Sequence, residues 1–185
     1  TSTPTTKSEP VTTETFSEQP RHGWNSEDGV CKFIGCLVAM SKVRTAIEVG
    51  VFEGESSMRI IEALPSGGQF IGIDINDYRT KQAKAAYKRA GLAIDFFHGN
   101  SLDVAKLLPN NHFDLIFIDG DHSWEHVIKE FKAFEPKLSR NGVFVYHDTI
   151  HLDGPKRIVE YAMHWGCKAV TLDTPEGRGI SIIHK

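Results

Sequence analysis

The sequence predicts an α/β protein: a doubly wound, mostly parallel seven-stranded sheet with one antiparallel strand, enclosed between two layers of helices. Three observations carry this. Short apolar runs alternate with helix-periodic segments from about residue 25 to 165, and strands separated by helices of ~10–15 residues imply right-handed crossovers and parallel pairing. Two glycines four apart, Gly50 and Gly54, punctuate the first strand-to-helix turn. The last two apolar runs, about 168–173 and 179–184, have only a Pro175-Glu176-Gly177 turn between them, so one of them must run against its neighbours.

The elements follow in order. Residues 1–22 are rich in Thr, Ser, Pro and Glu without apolar periodicity, which predicts a disordered N-terminal tail ahead of one domain over 23–185. Val30, Phe33, Ile34, Leu37, Val38 and Met40 recur at helical spacing, so a helix over Asn25–Met40 leads into the sheet, with Ser26 as its cap. A strand at about 45–50 passes to a helix at about 55–64, closed by Pro65 and the Gly67-Gly68 turn. Strand Gln69–Asp74 precedes a helix over Tyr78–Ala90 that Gly91 ends, then a strand at 93–98 and a short helix from Leu102 to Leu108. Strand Phe113–Ile118, a long helix over Ser123–Leu138, strand Gly142–Tyr146 and a helix over Gly154–Trp165 complete the alternation.

Composition excludes several classes. A length of 185 residues suits one domain with a full core. A net charge of -3 offers no basic footprint for nucleic acid. No apolar run reaches the ~18–20 residues that span a bilayer, no signal-peptide pattern is present, and Cys31, Cys36 and Cys167 form no disulfide framework. A cytoplasmic protein with reduced thiols is expected, with a homodimer left open.

The turn Glu48-Val49-Gly50-Val51-Phe52-Glu53-Gly54-Glu55-Ser56-Ser57 is the first candidate site. Glycine tolerates positive φ and close approach of a ligand, and Ser56 or Ser57 is positioned to cap the helix and aim its first N–H groups over the turn. A dinucleotide fingerprint would place a glycine where Phe52 stands, and a pyrophosphate would meet that ring. The acidic Glu48 suits positive charge. S-adenosylmethionine, with a sulfonium, an ammonium and no phosphate, fits both departures.

Ligands of such sheets bind beyond the carboxyl ends of the strands. Asp74 ends the second strand and is placed to accept from ribose hydroxyls; Asn100 and Ser101 follow the third and are placed at an adenine edge. The fourth ends in Asp119-Gly120-Asp121-His122 and the fifth in His147-Asp148-Thr149. Asp119, His147 and Asp148 make an oxygen/nitrogen set for Mg²⁺ or another divalent cation. His122 is the candidate general base, since an imidazole (ordinary pKa ~6.5) takes protons at neutral pH. Trp24, Trp124 and Trp165 read as packing or rim residues, and Lys81, Lys84, Lys88 and Arg89 as a solvated helix face.

These motifs resemble the class I S-adenosylmethionine-dependent methyltransferases, through Glu48-x-Gly50-x-x-x-Gly54 and Asp74. The segments Phe113–Glu125, Gly142–Thr149 and Gly154-Pro155-Lys156-Arg157 resemble more closely the subgroup of macrocin-type sugar O-methyltransferases and their cephalosporin-biosynthesis relatives. The resemblance implies a Rossmann-like methyltransferase fold and Mg-assisted O-methylation of a hydroxylated small molecule, a sugar or secondary metabolite. It also implies Asp119 and Asp148 as metal ligands and His122 as base. The chain departs from the subgroup at His147, where relatives carry an acid. A metal-dependent hydrolase and a non-catalytic cofactor-binding subunit are the alternative readings.

Overall fold

The computed structural model describes residues 26–89 and 91–185; the expected tail over 1–22 and Trp24 lie outside the described residues. The strands are β1 Thr45–Val49, β2 Gln69–Asp74, β3 Ala93–His98, β4 Phe113–Ile118, β5 Leu138–His147, β6 Lys168–Leu172 and β7 Ile180–His184. They form one sheet in the order β3-β2-β1-β4-β5-β7-β6. β7 pairs antiparallel with both β5 and β6, while β1 to β5 pair in parallel. The chain therefore reverses winding between β1 and β4, and a crevice opens where their carboxyl ends part.

The helices are α1 Asp28–Met40, α2 Glu55–Ala63, α3 Asp77–Ala86, α4 Ser101–Leu107, α5 Trp124–Phe134 and α6 Asp153–His164. Alternate strand residues face opposite layers, so two cores form. Ala46, Leu115, Phe117 and Val145 pack with Val30, Ile34 and Val38 of α1 and Ile60 and Ile61 of α2. Ile47, Ile116, Phe144 and Tyr146 pack with Phe131 and Phe134 of α5 and Ile158 and Ala162 of α6. Strands buried on both faces explain the nearly unbroken apolar runs in the sequence.

Strand β5 begins at Leu138 rather than Gly142, and three helix boundaries differ from expectation, each for a local reason. α1 begins at Asp28 after Glu27, and the Ser26 hydroxyl instead donates to Asp119 Oδ2 at 2.6 Å. α3 stops at Ala86 because Tyr87 turns to extended backbone, buries its ring and donates its hydroxyl to the Gly54 carbonyl at 3.0 Å. Just beyond, Arg89 leaves the expected solvated face and donates to the carbonyls of Ile61, Glu62 and Leu64, which satisfies the orphan acceptors ending α2. α5 ends at Phe134 rather than Leu138: Pro136 cannot donate into a helix and converts the last turn to a 3₁₀ turn over Glu135–Lys137.

Candidate active site

The glycine turn after β1 rests on close backbone contacts. Gly50 has φ +89 and lies so near β4 that a Cβ there would stand 2.2 Å from the Asp119 carbonyl oxygen. Gly54 has φ +79 over the Tyr87 ring, so both positions need glycine. Phe52, also at positive φ (46), is held by its N–H, which donates to Asp74 Oδ2 at 2.9 Å. Its ring lies 4.5 Å from the Arg79 guanidinium.

Glu48, expected to face a ligand, is instead fully buried beneath the turn on the α2 side. Even-numbered residues of β1 point to that layer. Its carboxylate accepts from the hydroxyls of both Ser56 and Ser57, so neither serine caps α2, whose N-cap is Gly54. Burial pushes the Glu48 carboxyl up to about 8, against the opposing pull of the two hydroxyls. Ser56 still reaches the wall of the main cavity.

Two contiguous cavities flank the turn. The larger, of about 650 Å³, is lined by Gly50, Phe52, Gly54, Ser56, Asp119, His122, Asp148, His151 and Arg178 among others. The other, of about 430 Å³, is lined by Asp74, Asn100, Ser101, His126 and Glu130, and shares Gly50, Phe52, Asp119 and Gly120 with the first. Asp74 also accepts from the Asn76 N–H at 2.8 Å. Asn100 caps α4 through Leu102 N–H at 2.9 Å, and the Ser101 hydroxyl donates to the buried Glu130 at 2.5 Å. Glu130 raises the pKa of its neighbour His126 through a hydrogen bond, against partial burial.

At the mouth, Asp119 and Asp148 meet from adjacent strand ends. The donor atoms of Asp119, His122 and Asp148 lie within 4.8 Å of one another, and His122 Nε2 is 3.5 Å from Asp119 Oδ1 and 3.4 Å from Asp148 Oδ2. Among the described residues that Nε2 is one of three buried side-chain polar atoms without a hydrogen-bond partner. Gly154 lets α6 start against the His122 carbonyl, where a Cβ would come within 2.1 Å.

His147 stands beside both acids, 3.6 Å from Asp148 Oδ2, though outside that group of three. Its side chain is fully buried, with Nδ1 3.1 Å from Asp119 Oδ1 and Nε2 3.5 Å from Glu27 Oε2. Burial opposes charge on this imidazole, but Asp119 and Asp148 outweigh it and raise its pKa. Burial likewise opposes ionisation of Asp119, while His122, His147 and Ser26 hold its carboxyl well below the usual range.

Sequence reasoning missed Arg178. It reaches in from the loop before β7 and donates Nε to Asp148 Oδ1 at 2.7 Å and Nη2 to Asp148 Oδ2 at 3.0 Å. Ser26 and Glu27 were missed as well, because their contacts span some 90 to 120 residues.

A family model described as a methyltransferase domain matches residues 47–149. Caffeoyl-CoA O-methyltransferase of Pinus taeda is 28% identical over 74% of this chain and 58% of its own length. Its counterpart in Mesembryanthemum crystallinum is 33% identical over 55% of this chain and 44% of its own. The chain thus spans about half the length of these curated relatives. Among solved structures, an O-methyltransferase from Bacillus cereus in complex with SAH superposes with a TM-score of 0.76 at 20% identity, covering 89% of this chain and 84% of that one. TomG from Streptomyces achromogenes, in complex with SAM, gives 0.70 at 17% identity, covering 87% and 81%. At such identities these two establish a shared fold. No described helix is long and apolar enough to cross a membrane.

Proposed function

The chain belongs to the methyltransferase-domain family, and we propose that it transfers the methyl group of S-adenosylmethionine to a hydroxyl of a small acceptor. The observation that carries the reading is the Gly50 turn, tied through Phe52 to Asp74 and opening directly onto Asp119 and His122. The relatives' printed activity, and the SAH and SAM bound in the two matched structures, support the same chemistry.

In this reading the smaller cavity takes the nucleoside. Asp74 accepts from the ribose hydroxyls. Asn100, Ser101 and the unpartnered Oε2 of Glu130 stand at the base edge, where an exocyclic amine is a donor. The backbone over Gly50–Gly54 receives the amino-acid part. Bound there, a sulfonium supplies an electrophilic methyl that needs no further activation. Acceptor and donor are held in line, which supplies much of the rate. S-adenosylmethionine held there would supply the methyl and leave as a neutral thioether, and His122 Nε2 would take the proton of the acceptor hydroxyl as its oxygen bonds to that methyl. A sugar or secondary metabolite is the proposed acceptor class, from the sequence resemblance.

Divalent-ion assistance was expected from the sequence. The spacing of Asp119, His122 and Asp148 favours it, but the carboxylates are already engaged. Both Asp148 oxygens accept from Arg178, Asp119 Oδ2 accepts from Ser26, and Asp119 Oδ1 faces His147. An ion would have to share Asp148 with the Arg178 guanidinium, so the donor set suits a metal poorly. Calorimetry with S-adenosylmethionine and its demethylated product tests the reading, followed by a screen of hydroxylated acceptors with labelled methyl donor. Absence of cofactor binding would return the site to the hydrolase alternative. Binding without transfer to any acceptor would support a non-catalytic subunit.

A further inference from the structure

We infer that Arg178 is the resident cation of this site: its guanidinium takes both oxygens of Asp148, one of the three residues grouped closely enough to hold an ion, and the site works without metal. The inference rests on the proposed methyl transfer and concerns how that site balances its charge.

Asp119 and Asp148 bring two carboxylates into one mouth, with Asp148 1% exposed. A buried carboxylate that stays ionised is paired with a cation or coordinates a metal. The fork of Arg178 meets both oxygens of Asp148 in the paired geometry that makes guanidinium–carboxylate contacts strong and directional. Arg178 is also built in rather than draped over the surface. Its carbonyl accepts from the N–H groups of Ile150 at 3.0 Å and His151 at 3.2 Å. Its own N–H donates to the Thr174 hydroxyl oxygen at 3.1 Å, and that hydroxyl donates to Glu27 at 2.8 Å. Glu27 in turn faces His147, which faces Asp119. The arginine, the loop that carries it and the two strand ends thus form one connected polar network. A dication entering there would have to displace the guanidinium from Asp148 or share the carboxylate with a like charge within about 4–6 Å, and like charges at such range disfavour each other. A guanidinium stays charged at every working pH, so the site needs no outside ion for balance.

The test uses the full chain. Mg²⁺ and Mn²⁺ are titrated calorimetrically into wild type, Arg178→Gln, Arg178→Lys and the double variant Arg178→Gln/Asp148→Asn, and cofactor affinity is measured with and without EDTA. The expected results are no saturable divalent-ion binding by wild type and cofactor affinity unchanged by EDTA. Arg178→Gln should gain one saturable site, at least about tenfold tighter than any wild-type binding. Arg178→Lys should keep the ion out, and the double variant should lose the gained site. A saturable wild-type site would overturn the inference even if Arg178→Gln proved too unstable to study, and a single Asp148→Asn variant, titrated alongside, would place that ion on Asp148 by abolishing it. So would an Arg178→Gln protein that folds and binds no ion. Failure of wild type to bind S-adenosylmethionine in EDTA and in Mg²⁺ alike would strike the proposed methyl transfer instead, while the metal titrations would still read out on their own.

Discussion

The backbone N–H of Phe52 donates to Asp74 Oδ2 at 2.9 Å, which fastens the glycine turn of β1 to the tip of β2. Turn and Asp74 therefore act as one unit, and Asp74 keeps lone pairs for the proposed ribose contact. Asp74→Ala is expected to weaken S-adenosylmethionine binding by ~10–150-fold, the equivalent of ~1.5–3 kcal/mol for hydrogen bonds to a charged acceptor. Asp74→Asn, which keeps an acceptor for Phe52, should lose less. Calorimetry decides, and equal affinity in wild type and Asp74→Ala removes the ribose assignment.

His122 presents an Nε2 with no hydrogen-bond partner to the cavity shared by the two strand-end acids. His122→Ala should lower turnover by ~10²–10⁴-fold, the usual contribution of a positioned base, with cofactor affinity within about twofold of wild type. A parallel fall in both would make it a binding or structural residue.

Gly50 has no room for a side chain. Gly50→Ala would drive a Cβ to 2.2 Å from the Asp119 carbonyl oxygen at φ +89, so the turn must move. Positive φ costs a non-glycine residue ~1–2 kcal/mol before the clash is counted. The melting temperature should therefore drop by at least ~2–8 °C, together with cofactor affinity. A variant as stable and as avid as wild type would show that the backbone approach is not required.

Glu48 links stability to pH. Its carboxyl is raised from 4.5 to about 8 in the folded protein, chiefly by burial. The folded state then holds the proton more tightly than the unfolded chain, so this residue's contribution is complete below pH 4.5 and is lost as pH rises towards 8. Between those limits the loss approaches about 1.4 kcal/mol per pH unit, or roughly 3–6 °C of Tm. Glu48→Gln should flatten that decline. Identical Tm–pH slopes for wild type and variant over pH 5–8 would contradict the buried neutral carboxyl.

Much of the architecture was legible along the chain because its signals are local. Apolar runs of five or six residues, helical spacing between them and glycines at the turns specify strands, helices and their handed crossovers within a few residues of each other. The reversed last hairpin and the placing of Gly50, Asp74, Asp119 and Asp148 at strand ends followed from the same punctuation. The errors arose where a side chain serves a distant partner. Ser26 reads as a cap but reaches Asp119 across 93 positions. Ser56 and Ser57 read as caps, yet β1's alternation sends Glu48 into their layer. His147 reads as a ligand beside Asp148, and its buried ring does lie against both acids, but its Nε2 turns to Glu27, 120 positions away.

Arg178 is the clearest case. Nothing in Glu176-Gly177-Arg178-Gly179 marks a site residue, since an arginine in a turn is usually just solvated. It reaches Asp148, 30 positions earlier, because β7 inserts between β5 and β6 and so brings the loop ahead of β7 over the end of β5. Residue order specified the elements and the acids at their tips, since periodicity and turn chemistry are properties of neighbours in the chain. That Arg178 meets Asp148 was decided by the order of strands in the sheet, since charges pair through space.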